Sequence, residues 1–250
     1  MKSPRMLWLA IAFSWATVLC AQDGATTTRM WRLGMGVSPG IAYRGLVSTE
    51  DAGLWDHFIT SRNDYEEPRF AYGCSLFCAL DLSDRFSVEG GLGYSLMGYQ
   101  LNMDELNFGD MIDPNRGFIF QTNDNRLRAL RYSFHYLELP VRVVFHCGKG
   151  RMRWISSAGL TTSYLLKSTT TSVLQYADGS TERNTSESGY DYNTIGLFPT
   201  FSTGVSYALN DRMELRLEPQ ARYGVLRIID APITAHLWSA GVGFSAMWRL

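Results

Sequence analysis

Ser133 and His135 are the one pair in this chain whose types and spacing suggest covalent chemistry. Two residues apart on an extended chain, they project from the same face. A hydroxyl beside an imidazole is the start of an acyl-transfer site, and on a membrane strand its substrate would be a lipid. Such a site also needs a third group to orient the imidazole, and no acidic residue stands in place for that role. The other histidines, His57, His146 and His236, fall in no metal-ligating spacing. Asp110, Asp113, Asn115 and Gly117 resemble a calcium loop only in composition, without the EF-hand spacing or its closing glutamate. The expectation is a non-enzymatic protein with no cofactor and no metal.

A second set of charges has a stricter pattern. Glu214, Arg216, Glu218, Gln220 and Arg222 alternate with Met213, Leu215, Leu217, Ala221 and Tyr223. Glu138 and Arg142 alternate with Leu137, Leu139, Val141, Val143 and Phe145, and Glu89 stands among Ser87, Gly91, Gly93 and Ser95 opposite Phe86, Val88, Leu92 and Tyr94. Period-two alternation marks strands with two unlike faces. One face is wholly apolar, and the other is small, polar or charged in mid-strand. A transmembrane β-barrel supplies both media, lipid outside and a polar lumen inside. The expectation is that Glu89, Glu138, Arg142, Glu214, Arg216, Glu218 and Arg222 form a structural charge network across the lumen of a narrow barrel.

The ends and the composition agree with export. Lys2 and Arg5 precede an uncharged apolar run over 6–19, and Leu19-Cys20-Ala21 precedes Gln22. This is the pattern of a signal peptide over 1–21, leaving 22–250 as the barrel domain. Removing the two basic residues of the leader leaves 21 Lys and Arg against 24 Asp and Glu, a net charge of −3. That balance argues against nucleic-acid binding. Cys74, Cys78 and Cys147 remain after the leader. An odd count makes a poor disulfide framework, and Cys74 and Cys78 lie too far apart along one strand to bridge. Lysine is confined to Lys2, Lys149 and Lys167, so none interrupts a strand.

About eight such strands follow one another, over 31–44, 69–82, 85–101, 131–146, 152–169, 193–209, 212–226 and the final segment to residue 250. The fold expected is an all-β, antiparallel up-and-down transmembrane barrel. Short turns at Ser83-Asp84, 147–151 and Asn210-Asp211 alternate with long polar loops over 45–68, 102–130 and 170–192. Short turns on the periplasmic side put both termini in the periplasm. Asp178-Gly179 is a two-residue hairpin signal whose flanking strands should extend as a ribbon. The apolar parity of the fourth strand changes near Tyr136, which suggests a bulge or an extension beyond the bilayer there. Pro39, Pro140, Pro199 and Pro219 lie inside strands and each removes a ladder donor, so local bulges are expected at them.

Residues 136–142 (Tyr-Leu-Glu-Leu-Pro-Val-Arg) resemble a signature of the PorT-like outer-membrane β-barrel family, and residues 82–95 are similar to that family's turn-and-strand pattern. The resemblance implies an outer-membrane barrel of a Gram-negative envelope, with some members assisting secretion or gliding and no catalytic residues to carry over. The partners expected are outer-membrane lipid and lipopolysaccharide, with envelope proteins as a further class. Two alternatives remain from the residues: a lipid-modifying enzyme built on Ser133 and His135, and a soluble exported barrel that holds an apolar ligand.

Overall fold

A computed structural model describes residues 30–48, 59–60, 65–102, 111–112, 119–120, 125–148, 150–176, 180–189, 191–229 and 233–250. The proposed leader, Asp110, Asp113, Asn115, Gly117, His57 and Asp178-Gly179 lie outside the described residues. Eleven strands are described: β1 (Trp31–Ser48), β2 (Glu66–Asp81), β3 (Phe86–Asn102), β4 (Met111–Ile112), β5 (Ile119–Phe120), β6 (Asn125–Cys147), β7 (Met152–Tyr176), β8 (Thr181–Glu187), β9 (Ile195–Ala208), β10 (Met213–Tyr223) and β11 (Ile233–Arg249).

Eight of them close a ring. The order runs β6-β3-β2-β1-β11-β10-β9-β7, and β6 pairs β7 to complete it. All of these pairings are antiparallel, from Arg32↔Arg249 at one end of the β1–β11 seam to Ser48↔Ile233 at the other. A closed ring leaves no edge strand, the condition for placing strands in lipid.

The short turns share one end, here the turn end. The Ser83 hydroxyl accepts from the amides of Arg85 and Phe86. The Asn210 side chain accepts from those of Arg212 and Met213 at 2.9 and 2.8 Å. Gly148 and Gly150 take φ of 105° and 102°, where a side chain would be strained. At the opposite, loop end β6 and β7 run on beyond the barrel. Beyond its pairing with β9, β7 pairs with β8 over Thr169↔Glu187 to Gln175↔Thr181, which makes a three-stranded ribbon of β6, β7 and β8.

The outer wall is apolar. Leu33, Met35, Val37, Leu76, Leu92, Leu139, Val141, Val143, Leu217 and Phe244 are all exposed. Aromatics bound the band. Trp31, Phe86 and Trp154 mark the turn end, and Tyr43, Tyr72, Tyr94, Tyr164 and Tyr223 the loop end. Trp154 and Tyr164 are ten residues apart, which at ~3.3 Å per residue and ~40° tilt gives about 25 Å, the height of an outer-membrane apolar band.

Two expectations are corrected. No register shift occurs at Pro39, Pro140, Pro199 or Pro219: Pro39 pairs Tyr72, Pro140 pairs Thr161, Pro199 pairs Leu160 and Pro219 pairs Val242. Glycines stand close to two of them. A Cβ on Gly241 would lie 2.4 Å from the Pro39 carbonyl oxygen, and one on Gly159 2.4 Å from that of Val141, so the backbones approach where side chains are missing. Shifts fall elsewhere, between Pro68 and Tyr72, Leu127 and Ala129, and His135 and Tyr136. The last coincides with the parity change in the fourth strand, but the extra residue is Leu166 on β7, since His135 pairs Lys167 and Tyr136 pairs Leu165. From Ala129 onward β6 itself keeps one phase. Phe134 and Tyr136 face inward with Glu138 and are buried, so the parity change is a change in what fills the lumen.

Candidate functional site

The lumen is lined in three layers. Nearest the turn end, Arg32 donates to Glu214 at 3.1 Å and to Asp81 at 2.5 Å, and Arg153 donates to Glu214 at 3.2 Å. Arg216, whose side chain is 0% exposed, bridges Glu214 at 2.8 Å and Glu89 at 2.6 Å. Arg142 then joins Glu89 at 2.7 Å to Glu218 at 3.2 Å, and Ser202 donates to Glu218 at 2.6 Å. Farther along, Arg222 donates to Glu138 at 2.7 Å and to the Ser239 hydroxyl at 2.8 Å, while Ser95 also donates to Glu138. Alternation on the eight ring strands aims these side chains at one axis, and shared partners turn pairs into a network. Burying such charges is costly unless each is paired and hydrogen-bonded.

The structure brings together all seven residues singled out above, Glu89, Glu138, Arg142, Glu214, Arg216, Glu218 and Arg222, with Glu138 and Arg222 as a separate pair. Arg32, Asp81 and Arg153 also belong to the network and were not read from the sequence. Each lies at a strand end, where the pattern cannot separate a lumen group from a solvated turn.

The middle layer is less crowded. The charged strands face a wall of small residues, Gly36, Ser38, Gly73, Ser75, Gly93 and Gly243, and a cavity of about 110 Å³ remains between them. A polar space of this size accommodates a few waters.

The loop-end layer is aromatic. Phe134, Tyr136 and Phe198 are at most 2% exposed and pack with Met97, Tyr99 and Leu237. Tyr136 meets Phe198 edge-on at 6.2 Å, and Tyr192 meets Phe134 at 4.9 Å. Phe77 sits lower, under the guanidinium of Arg142 at 5.5 Å, and the Arg222 guanidinium lies 5.7 Å from the Phe198 ring, so cation–π contacts join the layers. Above the aromatics, Arg44 is paired with Glu66, donates to the Tyr99 hydroxyl at 2.8 Å and stacks on its ring.

Ser133 and His135 lie on the outer face of β6 and each is bonded to a different partner. The Arg69 guanidinium donates to the Ser133 hydroxyl, and His135 Nδ1 is paired with the Tyr94 hydroxyl at 2.5 Å. Among the described residues no carboxylate orients His135, and no group of three or more His, Cys, Asp or Glu could hold a metal ion.

Residues 21–225 match the family model described as the outer membrane protein beta-barrel domain. The chain belongs to this family. Its location is therefore the outer membrane, in keeping with the closed ring and apolar wall. Among solved structures, the chain is similar to the Neisserial surface protein A, at 9% identity over 86% of this chain and 95% of that one, with a TM-score of 0.40. It is likewise similar to OprG from Pseudomonas aeruginosa, at 10% identity over 88% and 95%, with a TM-score of 0.42. The outer membrane protease OmpT from Escherichia coli aligns at 8% identity over 92% and 100%, with a TM-score of 0.31. No curated protein matches the chain.

Proposed function

We propose that this outer-membrane barrel is a closed, non-enzymatic protein whose loop end is a binding and structural surface. Its signal peptide is cleaved after Ala21, and its turn end and both termini face the periplasm. The observation that carries this reading is the filled lumen: an ion-pair network stands at one end and an aromatic plug at the other, with a cavity of about 110 Å³ between them. An eight-stranded ring is just wide enough for side chains to fill it. The lumen charges are structural, and the surface left for recognition is the ribbon and loops, which meet lipopolysaccharide or another envelope protein. Planar-bilayer recording tests closure directly. The purified protein should give no stable unitary conductance, and a large steady one would sink the proposal.

Within the family we read the chain as PorT-like, on residues 82–95 and 136–142. An accessory place in a secretion or gliding apparatus rests on that resemblance, and a pull-down from solubilised outer membrane tests it by the proteins recovered. The lipid-modifying alternative predicts a changed lipid A mass profile when the gene is deleted. The separate engagement of Ser133 and His135 argues for an unchanged one.

A further inference from the structure

A second charged region lies outside the barrel, just beyond the loop-end aromatics, and the lumen makes no use of it. Residues paired across neighbouring strands share a face. On the outer face of β6, His135 stands between Leu96 and Lys167, and Arg131 between Gln100 and Thr171. One row farther along the ribbon, Ala129, Val173 and Arg183 continue that face. Arg69 joins it from β2, donating to Ser133 and to the Tyr132 carbonyl. It spans β3 at Gly98, the residue paired with Ser133, where a Cβ would lie 2.0 Å from that same carbonyl oxygen.

Four permanent cations thus line one strip: Lys167 and Arg69 at the girdle, then Arg131 and Arg183 on the ribbon. Among the described residues none of them has an ion-pair partner. Arg131 is close enough to Arg69 to repel its charge, and its buried Nε has no hydrogen-bond acceptor. Among the described residues, two carboxylates share the face. Glu67 is engaged by Gln100 and Asn102, and Glu187 stands at the foot of β8 opposite Thr169. Among the described residues the strip therefore carries more positive than negative charge, around guanidinium groups suited to phosphate.

What lies on either side selects the ligand. Below, the strip is continuous with the apolar strand face of Leu137, Leu139 and Val141. Above, Arg131 and Arg183 enter a cleft of about 710 Å³ with Gln100, Asn102 and Thr181, a lining of amides, a hydroxyl and guanidinium groups suited to sugars. We propose that this face binds one molecule of a phosphorylated outer-leaflet glycolipid. Acyl chains lie on the strands, phosphates are held by Arg69, Lys167 and Arg131, and the saccharide occupies the cleft. The proposal rests on the orientation given above, with the loop end outward.

The test uses the full mature protein in detergent, with melting followed by loss of the folded form on unheated gels. Bis-phosphorylated lipid A carrying core sugars should raise the melting temperature, and the same glycolipid stripped of phosphate should not. The double variant Arg69→Gln, Arg131→Gln should keep its lipid-free melting temperature and bind at least about tenfold more weakly, the worth of one lost charged hydrogen bond. If that variant does not fold, Lys167→Gln with Arg183→Gln, both on exposed side chains, should show the same loss. Equal stabilisation by the dephosphorylated glycolipid, or unaltered affinity in a folded double variant, overturns the site. Labelling of Cys147 on intact cells by an impermeant thiol reagent overturns the orientation instead and leaves the binding result in detergent standing. A mass change in the glycolipid on incubation overturns the non-enzymatic reading while supporting the site.

Discussion

The two ends of the lumen solve one packing problem in different ways. At the turn end the inward positions of β1, β3, β6 and β10 carry Arg32, Glu89, Arg142, Glu214 and Arg216, linked by shared partners. At the loop end the inward positions of β3, β6, β9 and β11 carry Met97, Phe134, Tyr136, Phe198 and Leu237, which touch without direction. Both stretches share β3 and β6 and lie on the same face. The difference teaches that facing inward in this barrel does not by itself demand polarity. A narrow ring asks for filled volume. Ion pairs meet that demand only as a complete set, because each buried charge depends on its partner. Aromatic rings meet it piecemeal, because neighbours can partly relax into a gap.

That contrast is broken most severely at Arg216. Arg216→Ala leaves Glu214 with Arg32 and Arg153 but removes one of the two cations on the buried Glu89, and should cost about 3–5 kcal/mol. Thermal melting in detergent micelles checks this. A triple change to methionine at Glu89, Glu214 and Arg216 would turn part of the charged half into an apolar one. It should be more stable than Arg216→Ala alone, since the under-compensated Glu89 goes too while Arg32 keeps Asp81. If the triple variant is the weaker, the network is held together by more than pairing.

Phe134→Ala tests the other half. It should cost about 3 kcal/mol, the low end for a buried phenylalanine, because Tyr132 and Tyr192 border the space and can move into it. A cost above that of Arg216→Ala would reverse the ranking of the two halves. Arg142→Ala comes next, at about 2 kcal/mol, because Arg216 still holds Glu89, Ser202 still donates to Glu218, and the Arg142 side chain is 21% exposed. A loss equal to that of Arg216→Ala would show that the mid-lumen cavity is drier than its polar lining suggests. The smallest change belongs outside the comparison. Thr171→Ala on the ribbon removes an exposed hydroxyl contact with Thr185 at 2.9 Å and should shift stability by less than about 0.5 kcal/mol.

Much of this molecule is legible in its residue order, for a definite reason. Lipid on one side and a crowded lumen on the other impose opposite chemistries on alternate residues, so period two writes the strands, their faces and their number into the chain. Ser83, Asn210 and Gly148 mark the turns in the same local way. The lumen charges on β3, β6 and β10 are legible because each interrupts an otherwise apolar alternation. Tertiary structure alone decides what those charges meet, because partners as far apart as Glu89 and Arg216 are joined only by closure of the ring. It also decides that Phe134 and Tyr136 face inward, since an aromatic residue satisfies a lipid wall and a lumen plug equally well. The bulge at Leu166 and the crossing of Arg69 over Gly98 are likewise properties of strand pairing. Local sequence records which medium each residue prefers, and the register of neighbouring strands determines which residues share it.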